Sequence, residues 1–269
     1  MSTKNNNVSS AATALILCLV CSVMVSAVAV GLKPKQQENA RLDLNKNILM
    51  AADMYDPETE SADVIAERFA DFEIRLVNLQ TGQFATEQEI MASGISDVNS
   101  YNVSKAARTP SLSTSLTNDI AKIGGKPNFA KVYLAKDTNG QLEQIVLPIH
   151  GAGLWGPIFG LLTLDKDLNT IKGVNFYQHK ETPGLGSRIE EAQWQATWVD
   201  KELYNDDGSR KIAVVKSGTA RESQIDGISG ATLTIRGVNK LLQYWIGEDG
   251  YKPFLDNLRA GQADKGEGV

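Results

Sequence analysis

Between residues 8 and 32 the chain carries no charged side chain, and Leu15, Ile16, Leu17, Leu19, Val20, Val23, Met24, Val25, Val28 and Val30 make the run strongly apolar. A bilayer core takes about 20 such residues as a helix, so this run is long enough to cross it. Whatever follows must fold while tethered. Ala27-Val28-Ala29 is a small-residue pattern of the cleavable kind, but the run exceeds the apolar stretch of about 7–15 residues found in signal peptides. It reads as an uncleaved anchor. Lys4 precedes the span, while Lys33, Lys35 and Arg41 follow it, which nominally favours a cytoplasmic C-terminal side; a large folded domain, however, translocates largely regardless of flanking charge. Cys18 and Cys21 both lie inside the span, so they supply no disulfide framework for the part beyond it. They read as small packing residues, with a metal shared with partner subunits as the alternative.

The chain has 269 residues and a net charge of −5, enough to bury one sizeable core. It has no basic run of five or more residues, which argues against a nucleic-acid partner. The Gly-x-Gly-x-x-Gly string from Gly151 to Gly156 leads into an expected strand at 158–164 rather than a helix, so it is no dinucleotide fingerprint and NADH chemistry belongs elsewhere. With two histidines and no cysteine past the anchor, neither a catalytic triad nor a metal site is expected. No catalytic residue is assigned.

The expected organisation is a tail at 1–7, a transmembrane helix at 8–32, a membrane-proximal helical and loop region at 33–125, a core at 126–260 and a flexible tail at 261–269. A helical continuation is expected up to Tyr55-Asp56-Pro57. Residues 62–79 mix helical and strand patterns, and a short helix is expected at 112–123. Val132, Tyr133 and Leu134, then Asp137-Thr138-Asn139-Gly140, then Leu142, Ile145, Val146 and Leu147 form a hairpin signal. A second strand pair is expected at 158–164 and 170–178. An amphipathic helix at 187–198, a strand at 212–216 and a helix at 233–246 follow. The fold class is α+β: an antiparallel sheet flanked by helices, behind a single membrane helix.

Three motifs bear on chemistry. In Asp226-Gly227-Ile228-Ser229-Gly230-Ala231-Thr232-Leu233-Thr234 a threonine hydroxyl sits on a glycine-bearing turn where an amphipathic helix begins. The free first-turn amides and the macrodipole there suit an anion. Alone, the same residues read first as a plain N-cap made by Ser229. His150-Gly151-Ala152-Gly153-Leu154-Trp155-Gly156-Pro157 reads as a loop whose glycines admit a flat ligand and whose Leu154 and Trp155 can cover a ring, or as a plain glycine-rich connection. Glu181-Thr182-Pro183-Gly184-Leu185-Gly186 is a turn.

In this order, the three motifs resemble the FMN-binding domain family, in which the last threonine of Asp-x-x-Ser/Thr-Gly-Ala-Thr carries FMN through a phosphoester bond. Here that residue is Thr232. The resemblance implies a flavin neighbourhood of Asp226, Ser229, Gly230, Ala231, Leu233, Thr234, His150, Gly153, Leu154, Trp155, Glu181, Thr182, Pro183, Gly184, Leu185 and Gly186, with His150 a possible proton shuttle or a satisfied loop residue. The Gly-Leu-Trp-Gly-Pro string, the long segment before Ala130, and Tyr244-Trp245-Ile246-Gly247 with Pro253-Phe254-Leu255 favour the branch formed by C-type subunits of the sodium-translocating NADH:quinone oxidoreductase (Nqr) complex. That branch implies an electron carrier in a bacterial inner membrane with its domain on the periplasmic side. It also implies other Nqr subunits as partners, a separate Mg-dependent flavin transferase for maturation, and the lipid bilayer around residues 8–32. The alternatives are the G-type subunit of the related Rnf complex, and a flavin-free membrane-tethered assembly module.

Overall fold

A computed structural model describes residues 3–263. Helix α1 (Thr3–Ala51) absorbs residues 3–7, so they form no separate tail. From Ser10 to Leu32 every side chain is exposed, and the stretch that begins at Ser10 reaches a mean hydropathy of 2.7. An isolated helix of that character requires an apolar surrounding.

The chain divides into residues 1–45 and residues 46–269. The last turns of α1 belong to the second unit. Ile48 and Leu49 are fully buried, and Asn175 Nδ2 donates to the carbonyl and side-chain oxygen of Asn47 (3.2 and 3.0 Å). The helix stops at Ala51, short of Tyr55-Asp56-Pro57, because Asp53 turns left-handed (φ 55°). Met54 N then reaches back to Leu49 O (2.8 Å) and Asp53 N to Met50 O (3.2 Å). This Schellman closure satisfies the last carbonyls before the proline is reached.

Residues 62–79 resolve into a 3₁₀ turn (Ala62–Val64), α2 (Ile65–Phe69) and β1 (Phe72–Asn78). Next come β2 (Gln83–Phe84), α3 (Glu87–Ala92), α4 (Val103–Ala106), and the small pair β3 (Ser113–Thr114) and β4 (Lys126–Pro127). No helix forms at 112–123. Asp119 takes the amides of Ile123 and Gly124 instead (3.0 and 2.8 Å), and Lys122 turns left-handed (φ 54°). Such side-chain competition for backbone donors is why Asp and Ser-rich runs resist helix formation.

The four expected strands are β5 (Phe129–Lys136), β6 (Leu142–Ala152), β7 (Pro157–Asp165) and β8 (Ile171–Gln178). They join the first two in an antiparallel sheet of order β2-β1-β5-β6-β7-β8. The sheet thus takes two strands from the segment expected to be membrane-proximal helix and loop. The fold is α+β.

The segment 187–198 is not one helix. Glu191 is extended (ψ 127°) and separates a 3₁₀ turn (Gly186–Glu190) from α5 (Ala192–Gln195), which runs into another 3₁₀ turn (Ala196–Trp198). Residues 212–216 form no strand; they make one parallel bridge, Val214 to Ile225. Helices α6 (Thr232–Trp245) and α7 (Lys252–Arg259) are the last elements among the described residues. Ala263 is buried and its carbonyl accepts from Phe84 N (3.1 Å), so residue 263 is held to the domain after an exposed stretch at 259–262. The rest of the expected tail, 264–269, lies outside the described residues.

One face of α6, with Ile235, Val238, Leu241, Leu242 and Trp245, joins the main core formed by the sheet. Beyond Val146, β6 leaves β5. Side chains then take its carbonyls: Tyr251 OH donates to Pro148 O (2.8 Å) and Trp245 Nε1 to His150 O (2.7 Å). These bonds fix α6 against the end of β6, where the site lies.

Candidate functional site

The three motifs meet on one carboxylate. Glu181 is 5% exposed. Its Oε1 accepts from the amides of Leu154 (2.9 Å) and Trp155 (3.1 Å), and its Oε2 from the Thr234 hydroxyl (2.5 Å). A charged acceptor with several donors is a strong tie, and it needs close approach. A Cβ on Gly153 would lie 2.4 Å from Glu181 Oε1, and one on Gly186 would lie 2.5 Å from Thr234 Oγ1. These glycines therefore serve the junction itself.

Around it, Trp155 Nε1 donates to Thr182 Oγ1 (3.1 Å), and Pro183 and Gly184 complete an exposed turn. Leu185 lies against Gly230, where a Cβ would sit 3.1 Å from its Cδ2. Outside α1, the large apolar side chains exposed among the described residues are Met91, Leu154, Trp155, Leu185, Val199 and Leu233. Four of these come from the three motifs. Clustered exposure of this kind marks a surface built to be covered.

Helix α6 begins at Thr232 with Ala231 as its N-cap and no capping side chain. Ser229 is exposed and does not cap. The first-turn amides are thus left for an anion. Thr232 is exposed and Thr234 is 2% exposed. Two residues on a helix are about 200° apart, so one hydroxyl faces out while the other faces Glu181. Thr232, Ser229 and Gly230 line a cleft of about 330 Å³ together with Lys216, Arg236 and Asn239. Leu233 and Leu154 line a neighbouring cleft of about 240 Å³.

Two expected neighbours are placed otherwise. His150 is within β6, not in a loop, and pairs across from Phe159. Its ring stacks on Phe159 (5.7 Å) and touches Trp245 (5.1 Å), and burial lowers its pKa to about 4. It lines neither cleft, so a proton-shuttle role is set aside. Asp226 accepts from the amides of Gly218 (2.9 Å), Thr219 (3.1 Å) and Ala220 (3.2 Å). The first of these bonds is the main cause of its lowered pKa. It braces the preceding loop. The cleft cations Lys216 and Arg236 were absent from the expected site. Arg236 was legible as the residue one helical turn after Thr232; Lys216 had no local signal, since the Val214–Ile225 bridge and the bond from Val214 N to Asn239 Oδ1 (3.1 Å) bring it near.

Residues 153–247 match the FMN-binding domain family, a span that holds the Glu181 junction, Thr232 and both cleft cations but leaves out His150. Over 93% of its length the chain is 41% identical to the C-type subunit of the Na(+)-translocating NADH-quinone reductase of Pseudomonas aeruginosa, covering 95% of that protein. The chain belongs to the NqrC family, the C-type subunits of these reductases. The corresponding protein of Pasteurella multocida is 40% identical, with 94% of each chain covered. The crystal structure of Shewanella oneidensis NqrC superposes with a TM-score of 0.72 at 34% identity, over 82% of this chain and 98% of that one. The C-type subunit from Parabacteroides distasonis gives 0.64 at 29% identity, over 83% and 96%.

The residues present fit the flavin that the family's domain name implies. An anion site with an exposed hydroxyl adjoins an apolar platform, and the two are held at fixed spacing by the Glu181 junction.

Proposed function

We propose that this chain is the electron-carrying subunit of a membrane Na(+)-translocating NADH-quinone reductase, and that it holds FMN covalently, through a phosphoester bond to Thr232 Oγ1. FMN supplies the redox chemistry when bound. The chain supplies the setting. Thr232 Oγ1 would supply the linking oxygen, bonding to the FMN phosphorus as the transferase breaks that phosphorus's bond to the leaving group of an activated flavin donor, which departs with the hydroxyl proton. The α6 amides, Lys216 and Arg236 face the phosphate. Leu154, Trp155, Leu185 and Leu233 would receive the ring.

The observation that carries this reading is the contrast between Thr232, exposed in the cationic cleft, and Thr234, buried on Glu181. An exposed acceptor hydroxyl suits modification by a separate flavin transferase. In this reading residues 8–32 anchor the chain in a bacterial inner membrane, with the domain on the periplasmic side and other subunits of the complex as its partners. A link through phosphate prevents loss of cofactor there while leaving the ring itself unmodified.

The test is ultraviolet fluorescence of the chain on a denaturing gel after co-expression with a flavin transferase. The native chain and Thr234→Val are expected to fluoresce, and Thr232→Val to be dark. Fluorescence retained in Thr232→Val would refute the assignment.

A further inference from the structure

The second histidine, His179, lies outside the flavin neighbourhood expected from the sequence. It directly follows β8 and stands two residues before Glu181. Its side chain is 8% exposed, and both ring nitrogens are engaged: the Glu181 amide donates to Nδ1 (3.2 Å), and Nε2 faces Glu190 Oε2 at 3.1 Å. An accepting Nδ1 leaves the proton of the neutral ring on Nε2, which donates to Glu190. The Glu190 side chain is 58% exposed, so water screens its charge and its worth as an ion pair is small. What it supplies is a fixed acceptor. Ile189 beside it is fully buried, and Gln195 Nε2 donates to Ile189 O (3.2 Å). Between Glu181 and Glu190 the chain arches outward, with Thr182, Pro183, Gly184 and Leu185 exposed. Backbone bonds within the arch, from Leu185 N and Ser187 N to Thr182 O (both 3.1 Å), keep its shape. Its place on the domain is set at its feet. One foot is Glu181, whose carboxylate gathers Leu154, Trp155 and Thr234 and whose amide is held by His179.

We infer that His179 is a positioning residue of the flavin site: its Nδ1 accepts the Glu181 amide while Glu190 orients its ring, and this sets the foot of the arch that places Thr182 and Leu185 beside Leu154 and Trp155. The inference rests on the flavin reading for what those side chains hold. The effect passes through Glu181. A binding site keeps its geometry only where supporting contacts lock the residues that line it, and His179 is the contact that locks Glu181 from the backbone side. The bond from a side chain at 179 to the amide two residues on has the form of an Asx turn. An asparagine oxygen can therefore replace Nδ1, whereas a glutamine amide replaces Nε2 and reaches Glu190 alone.

The test uses the full chain co-expressed with a flavin transferase, as the native protein and as His179→Gln, His179→Asn and Glu190→Ala. Intact mass gives the flavin content of each, and visible circular dichroism per bound flavin reports how firmly the ring is held, since a ring turning freely on its phosphate tether has little. Urea midpoints are measured alongside. The adduct is expected on all four chains, because Thr232 is no part of this contact. His179→Gln should lose most of the flavin dichroism, Glu190→Ala part of it, and His179→Asn should stay near native. Native dichroism in His179→Gln would overturn the inference, whatever its urea midpoint, because a purely structural histidine lowers stability without releasing the ring. Should the Gln chain not fold, native dichroism in Glu190→Ala, a change at an exposed side chain, would overturn it. An Asn variant no better than Gln would overturn it too, by removing the role of Nδ1. So would loss of the adduct from His179→Gln, which would place His179 in attachment rather than in holding the ring. A native chain without adduct ends the flavin reading and this inference with it; a native chain with adduct and an unchanged Gln variant ends this inference alone.

Discussion

Burial decides the role of each polar residue around the start of α6. Thr232 and Thr234 have the same chemistry, yet only Thr232 is open to an incoming phosphate, because Thr234 already donates to Glu181. His150 shows the same rule in reverse. Histidine beside glycine in the sequence suggested a flavin contact, but the side chain lies under Trp245 with its Nε2 unpartnered. Desolvation favours the neutral ring, lowering its pKa from 6.5 to about 4. The unfolded chain therefore binds the proton more readily, and stability falls as pH drops from 6.5 towards 4. The slope is about 1.4 kcal/mol per pH unit, with a total on the order of 3 kcal/mol. His150→Phe, which keeps an aromatic ring against Phe159, is expected to lose this component when urea unfolding is compared at pH 7 and pH 4.5. Identical pH slopes in the two proteins would show that His150 is not buried as a neutral ring.

Elements positioned by local patterns were legible; elements positioned by distant partners were not. The hairpin turn at Asp137 is encoded locally: Asp137 Oδ1 binds the amides of Asn139 and Gln141 (both 2.9 Å) and Gly140 has φ 77°. The apolar stripe of α6 is likewise periodic in sequence. Strands β1 and β2 were not recognised as members of the sheet, because β1 pairs with a strand about fifty residues later in the chain. The break at Glu191 had no proline or glycine to announce it. The motifs were visible as strings, but their junction on Glu181 was not, since it depends on contacts between Leu154, Glu181 and Thr234. Removing that acceptor is expected to be costly. Glu181→Ala leaves two amides and a hydroxyl without their partner, a loss of about 2–4 kcal/mol even with some water entry. Glu181→Gln is expected to cost less, because its carbonyl still accepts both amides and its amide can donate to Thr234. Denaturant unfolding gives the order native, Gln, Ala. A Glu181→Ala chain as stable as the native one would remove Glu181 as the centre of the site.

At the scale of the whole chain, the membrane helix and the domain share a boundary inside α1. Residues 46–51 are helix by backbone and core by packing, with Ile48 and Leu49 fully buried and a Cβ on Gly173 only 2.3 Å from Ala51 O. A chain starting at residue 33 is therefore expected to unfold at a urea midpoint set by the intact domain. One starting at residue 52 loses two buried side chains worth about 1.5–3 kcal/mol each, and should be less stable by several kcal/mol. Equal midpoints would show that the last turns of α1 are dispensable. The anchor ties the domain to a bilayer, the sheet holds the three motifs at one end, and the start of α6 presents one hydroxyl. The central claim concerns that hydroxyl, and intact-mass measurement of the full chain, co-expressed with a flavin transferase and digested to locate the adduct, tests it most directly. The expected result is a gain equal to FMN less one water, confined to the peptide containing Thr232 and absent from Thr232→Val. An unmodified mass, or the same adduct on a peptide without Thr232, would contradict it.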